Sequence, residues 1–262
     1  MKDVVALAKE VVQLAGELVV SFLGKPSIEH KGASYNLVTI ADRQSEKRII
    51  DFLRKEMPES SILSEETLSE TDLSTDSLWI VDPLDGTTNF AHGVPHFGIS
   101  AAYAEKGRII AGVVYDPMRK ELFSAFAGGG AYCKGERIHV SKNATLEQSL
   151  ICTGFFYDRG AMMEKTLNAI HELFIKKIHC MRRMGAASLD LTWLACGRFD
   201  GYFEYTLSPW DFAAGLLILQ EAGGRASGPD GRDADLFSKG LICSNGLIHE
   251  EFLGTVLNPG RF

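Results

Sequence analysis

The sequence predicts a protein of layered helices and strands, an α+β half followed by an α/β half. Three observations carry this. Amphipathic helical patterns open the chain, closely spaced strand patterns fill residues 97–140, and strand-like and helical segments alternate from residue 150 onward. With 262 residues the chain fits one large domain or two intimate lobes. The polar stretch Ser141 to Glu147 is the best boundary, giving an N-terminal α+β lobe over about 1–145 and a C-terminal α/β lobe over about 146–262.

Residues 3–23 place Val4, Leu7, Val11, Leu14, Leu18 and Phe22 on one helical face, closed by Gly24-Lys25-Pro26. Residues 27–38, with His30, Lys31 and Gly32, read as irregular or as a short hairpin. A second helix begins near Asp42, runs through Leu53 and stops at Met57-Pro58. Ser61 to Leu63 is a short strand leading into Ser64-Glu65-Glu66-Thr67, and residues 67–77 are a polar loop. Trp79 to Val81 reads as a buried strand that Pro83 stops.

Phe97–Tyr103, Arg108–Tyr115 and Glu121–Phe126 form an antiparallel meander, with Gly128-Gly129-Gly130 as a turn and a hairpin turn at 133–136. Beyond it come strands at 150–153, 177–181, 198–205 and 241–243 and helices at 161–175, 186–196, 210–222 and 247–257.

The composition is globular, with 45% hydrophobic residues and a net charge of −7. The acidic balance argues against a nucleic-acid or anionic-membrane surface. Five dispersed cysteines without a Cys-x-x-Cys pair fit a reducing, cytoplasmic compartment. The N-terminus does not read as a signal peptide, and no apolar run is long enough to span a membrane.

Chemistry concentrates at Asp82-Pro83-Leu84-Asp85-Gly86-Thr87-Thr88-Asn89. Two carboxylates on a strand exit can converge on hard cations. Gly86 lets the backbone approach a ligand, and the Thr87 and Thr88 amides open a helical turn that favours an anion. The same letters also spell ordinary turn and capping chemistry. Asp42, Glu65-Glu66 and Asp211 are further acids at element ends, each readable as a cap or a solvated charge as well as a ligand. Together they suit magnesium, which takes a few carboxylates, several waters and substrate phosphate. His92 and His96 bracket Pro95 and read as structural or surface residues rather than a zinc pair.

The chain resembles the inositol monophosphatase family of magnesium-dependent, lithium-sensitive phosphatases. Trp79 to Asn89 carries one family motif. Pro209-Trp210-Asp211-Phe212-Ala213-Ala214-Gly215 with Glu221-Ala222-Gly223-Gly224 carries a second, Asn36 to Asp42 a third and Ser64 to Thr67 a fourth. The likeness runs from about residue 3 to 257. It implies the family's sandwich of alternating α and β layers and a homodimer. It implies two or three Mg2+ ions: one on Glu65, Asp82 and the Leu84 carbonyl, one on Asp82, Asp85 and Asp211, and a weaker one on Glu65 and waters. Glu66 is then a neighbour of the site.

By the same resemblance Gly86, Thr87 and Thr88 hold the phosphate, and the Thr87 hydroxyl, oriented by Asp42, relays a proton from the attacking water. Glu204, Arg182, Gly185 and Ala187 form the substrate wall. Ser64, Asn36 and Ala186 depart from the commonest family pattern, and Ala186 removes a hydroxyl present in some members. The implied reaction is hydrolysis of inositol monophosphate by a metal-activated water. The alternatives are fructose-1,6-bisphosphate or dual specificity, with Arg182, Arg183 and Arg198 as candidates for a second anion site, and a moonlighting role as a partner of RNA or the transcription machinery.

Overall fold

A computed structural model describes residues 3–25, 28–30, 37–67, 71–155 and 159–260. Helix α1 (Val4–Ser21) is capped by Asp3, whose Oδ1 accepts the Val5 and Ala6 amides, and it buries Ala8, Val11, Val12, Ala15 and Val19. Strands β1 (Ile28–His30) and β2 (Leu37–Thr39) pair antiparallel, as a hairpin requires. Lys31, Gly32 and Asn36 lie outside the described residues. Helix α2 (Ile40–Glu56) starts two residues before the expected Asp42, because Thr39 is its N-cap and Asp42 sits at N3 of a capping box.

Strands β3 (Ser61–Ser64) and β4 (Leu78–Asp85) pair in parallel, and β4 leads into the short helix α3 (Thr87–Ala91). The expectation that Pro83 ends β4 is overturned. The strand continues to Asp85 with a shift of register between Asp82 and Asp85. Its pairing with β3 has already ended at Val81, and the irregularity takes up the proline on the other side.

The meander follows as β5 (Gly98–Glu105), β6 (Arg108–Asp116), β7 (Glu121–Phe126), β8 (Gly130–Cys133) and β9 (Glu136–Arg137). These complete a seven-stranded sheet in sequence order from β3 to β9. The second half gives β10 (Leu150–Thr153), α4 (Ala161–Ile175), β11 (Cys180–Arg182), α5 (Ala187–Ala195), β12 (Gly201–Glu204), α6 (Pro209–Glu221), β13 (Arg225–Ser227), β14 (Leu241–Ser244) and α7 (His249–Leu257). Its strands form a five-stranded sheet, β11-β10-β12-β14-β13, parallel among the first three and antiparallel thereafter. β11 lies three residues later than expected, because Lys177 adopts a left-handed conformation (φ 58°) just after α4. β8 and β13 have no counterpart among the expected strands.

The alternation of β4 sorts its side chains between two cores. Trp79 and Val81 pack with α1 and α2, whereas Leu78 and Ile80 pack with α5 and α6. Across α5 and α6, Cys152, Tyr202 and Cys243 of the smaller sheet join the same core. Its outer face packs Ile151, Phe203 and Ile242 against Leu173 of α4 and Phe252 of α7. The result is an α/β/α/β/α sandwich. α6 lies so close to β6 that a Cβ on Gly112 would fall 2.7 Å from the Ala214 carbonyl oxygen. Among the described residues no helix is long and apolar enough to cross a membrane.

Candidate active site

Helix α2 turns a polar stripe inward. Asp42, Ser45 and Glu46 are buried on the face that continues through Ile49 and Leu53. Each tethers a neighbouring segment. The Ser45 hydroxyl donates to the Pro83 carbonyl at 2.6 Å, holding the irregular end of β4. Glu46 accepts the amides of Glu66 and Thr67 at 3.1 and 2.8 Å and the Thr67 hydroxyl at 2.8 Å, which fixes the loop carrying Glu65. Asp42 accepts the Thr39 amide and hydroxyl at 2.7 and 2.6 Å on Oδ2 and the Thr87 hydroxyl at 2.8 Å on Oδ1. It is therefore at once the cap of α2 and the partner of Thr87. The Leu84 carbonyl oxygen lies 3.1 Å from the same Thr87 hydroxyl.

Gly86 takes φ 90° as it turns β4 into α3, and a Cβ there would crowd the His96 carbonyl and Ala186. The turn brings the start of α3, where the first amides have no intrahelical partner, to the cleft wall at Gly86, Thr87 and Thr88. Glu65, Asp82, Leu84, Asp85, Gly86, Thr87, Thr88, Gly185, Ala187, Glu204 and Asp211 all line that one cleft. Asp42 stands behind Thr87, and Arg182 lies outside. Its guanidinium donates to the Met181 carbonyl at 2.9 Å and to the Cys180 sulfur at 3.1 Å, at the exposed end of the edge strand β11. The next residue, Arg183, lines the cleft instead, together with Phe155, Asp190 and Trp210.

The electrostatics are those of carboxylates forced together. Asp82 is held well above the ordinary carboxyl range by burial first, then by Glu65, Asp85 and Asp211. Asp211 is raised by burial, then by Glu65, Asp85 and Glu204, against the pull of the Ser208 amide. Burial lifts Asp85 to about 6, opposed by two hydrogen bonds from Ser188. Burial lifts Glu204 to about 7, opposed by the Tyr202 hydroxyl, which donates at 2.7 Å. Glu204 is thus a buried wall residue and not a solvated strand acid.

Sequence reasoning passed over Glu46, Ser188 and Asp190. The signal for Glu46 was present: a charged residue at a core-facing helical position, four after Asp42. Ser188 and Asp190 carried none, since a short apolar helix gives no sign of which end meets a distant strand. His96 is buried, as a structural reading requires. Its Nε2 lies 3.2 Å from Asp190 Oδ1, and Trp193 packs edge-on at 5.1 Å. His92 is exposed.

Converging hard oxygens with no histidine or cysteine among them suit Mg2+, which keeps waters and binds through few protein ligands. Among the described residues no three His, Cys, Asp or Glu side chains are drawn together tightly enough to hold a metal ion by themselves. An open carboxylate cleft beside an amide cradle leaves room for water and phosphate in a shared shell.

The inositol monophosphatase family model matches residues 1–258. The chain is 39% identical over 249 residues to the Thermotoga maritima protein named fructose-1,6-bisphosphatase/inositol-1-monophosphatase, covering 94% of this chain and 93% of that one. It is 39% identical over 263 residues to Nus factor SuhB of Pseudomonas aeruginosa, covering 98% and 96%. The solved structure of a Thermotoga maritima IMPase superposes with a TM-score of 0.89 at 38% identity, covering 97% of this chain and 96% of that one. With agreement this complete in sequence and layer order, around a cleft of carboxylates and helix-start amides, the chain belongs to the inositol monophosphatase family and is one of its phosphatases.

Proposed function

We propose that this chain is a Mg2+-dependent phosphomonoesterase that hydrolyses inositol monophosphate to inositol and phosphate. The observation that carries the reading is the convergence of Glu65, Asp82, Asp85 and Asp211 from three separate segments, the end of β3, β4 and α6, next to a Thr87 hydroxyl already bonded to Asp42. These carboxylates and the Leu84 carbonyl would hold magnesium, which would supply electrophilic stabilisation and a more acidic attacking water.

The chain's own groups do the rest. The amides of Gly86, Thr87 and Thr88 hold the phosphoryl oxygens as charge builds on them. A proton received at the Thr87 oxygen has an outlet at Asp42, a carboxylate that burial makes a better acceptor than a solvated one. Glu204 and Asp190 are acceptors for the hydroxyls of a polyol leaving group.

The same wall favours inositol over a sugar bisphosphate. Of the three arginines that could hold a second phosphate, only Arg183 lines the cleft; Arg198 is paired bidentately with Glu121 at 2.7 Å. A second phosphate would lie against the Glu204 and Asp190 carboxyls, and like charge there is costly. The Thermotoga maritima relative's double name keeps fructose-1,6-bisphosphate as the rival substrate. Phosphate release from both compounds, with Mg2+ and with a chelator, decides the matter. Faster turnover of inositol monophosphate and loss of activity on chelation are expected. Equal or faster turnover of fructose bisphosphate overturns the substrate, and release undiminished by chelation overturns the metal.

A non-catalytic role beside the enzymatic one, with RNA or the transcription machinery as partner, draws on the full-length likeness to a protein named Nus factor SuhB. Our reading extends to a homodimer, on the family resemblance, and to a reducing, cytoplasmic compartment, which five free cysteines support.

A further inference from the structure

Helix α5 starts without a capping side chain of its own. Ala186 stands at its N-cap in extended backbone and carries no oxygen to offer. The acceptor comes from another element. Asp85 of β4 takes the Ser188 amide at 2.7 Å and the Ser188 hydroxyl at 2.5 Å, both on Oδ2. Ser188 is fully buried and Asp85 nearly so, so water cannot readily replace either donor.

A carboxylate turns freely about its last torsion unless its surroundings fix it. Two donors on one oxygen, from the backbone and the side chain of a single residue, define the plane of the group. They also favour its ionised form, as does the helix start, against the burial around it. We propose that Ser188 is a positioning residue for the cation site: it pins Asp85 through Oδ2 and leaves Oδ1 set to meet a divalent ion. The inference rests on Asp85 being a cation ligand, as argued above. A carboxylate locked before the ion arrives loses less freedom on binding, and outer partners of this kind are worth about ten- to a hundredfold in metal affinity.

The test is calorimetric titration of the metal-free chain with Mg2+, for the parent and for Ser188→Ala, Ser188→Cys and Asp85→Asn. Ser188→Ala is expected to weaken binding about tenfold, with Ser188→Cys, a weaker donor of similar shape, in between. In turnover, the Mg2+ concentration for half activity should rise while the rate at saturating Mg2+ stays near that of the parent. General damage to the fold would lower both. Parent-like affinity in Ser188→Ala, or any order other than Ser, Cys, Ala, overturns the role of Ser188. Parent-like affinity in Asp85→Asn overturns the ligand assignment beneath it.

Discussion

Helices α2 and α6 open on the same local device. Thr39 and Ser208 are N-caps, Asp42 and Asp211 stand at N3, and each aspartate accepts its own N-cap amide at 2.7 Å. From sequence the two aspartates are equivalent caps. What separates them is the third group each one meets. Burial raises Asp42, but it meets hydroxyls, Thr39 and Thr87, which donate to it and partly offset that rise. Asp211 meets the carboxylates Glu65, Asp85 and Glu204, which oppose its ionisation. One cap is satisfied within the protein, and the other faces a deficit of positive charge that a cation fills. A capping motif therefore sets where an aspartate stands, and the neighbours brought by other elements set its work.

The largest effect should come from the unsatisfied cap. Asp211→Asn keeps an oxygen for the Ser208 amide and removes a charge from the cluster. Activity should fall by about a thousandfold or more, the scale of removing a major transition-state electrostatic contact. The metal-free variant should unfold at or above the parent's temperature, since like-charge repulsion is relieved. Phosphate release and thermal unfolding measure the two arms, and a variant that retains activity removes Asp211 from the metal site.

Asp42→Asn separates capping from chemistry at the other helix. The Thr39 amide needs an acceptor, so the asparagine oxygen must face Thr39 and its NH2 must face Thr87. Thr87 then accepts a hydrogen bond where it had donated one. Activity should drop about a hundredfold, within the range of a lost proton-transfer partner. Stability should change by less than about 1 kcal/mol because the cap survives. Mg2+ affinity should stay at the parent's value. Undiminished turnover would leave Asp42 as a cap alone.

Layer order, the meander and the placement of Asp82, Asp85, Asp42 and Asp211 at element ends follow from local pattern and turn chemistry, because each depends on residues close in sequence. Pro83 misled because whether a proline ends a strand depends on the partner strands, and β3 parts from β4 after Val81, before the proline is reached. β8 and β13 escaped notice because four and three residues beside glycines make no periodic signal. The leaving-group wall was the least legible. Asp190 reaches the cleft, and Ser188 reaches Asp85, only because α5 is laid against β5 and β6, elements roughly seventy to a hundred residues away in sequence. Arg182 and Arg183 differ only in which side of an edge-strand end each one takes.

The smallest effect is on stability, and its sign tests the carboxylate cluster directly. Asp85 at about 6 and Glu204 at about 7 are raised above their ordinary values by burial, as are Asp82 and Asp211. Between the ordinary and the raised value the folded chain binds more protons than the unfolded one, so stability falls as pH rises. His249, held between the Ser227 and Ser244 hydroxyls and pushed down to about 4 by burial with Arg225 adding, works the other way. Its folded form stays neutral, so it weakens the fold progressively as pH falls through the ordinary histidine range toward about 4, and between pH 8 and 6 it opposes the carboxylate slope. From pH 6 to 8 the metal-free protein should therefore show a net loss of about 1 kcal/mol or more, with Glu204 contributing more than Asp85 and His249 offsetting part of it. Glu204→Gln should flatten that slope, and Mg2+ at a hundredfold its Kd should add back about 3 kcal/mol, more at pH 8 than at pH 6. Thermal unfolding across this range, with chelator and with Mg2+, reads both. A metal-free protein that grows steadily more stable from pH 6 to 8 would mean that the carboxylates of α6 and β4 do not repel one another, and the distinction between the two capped helices would collapse.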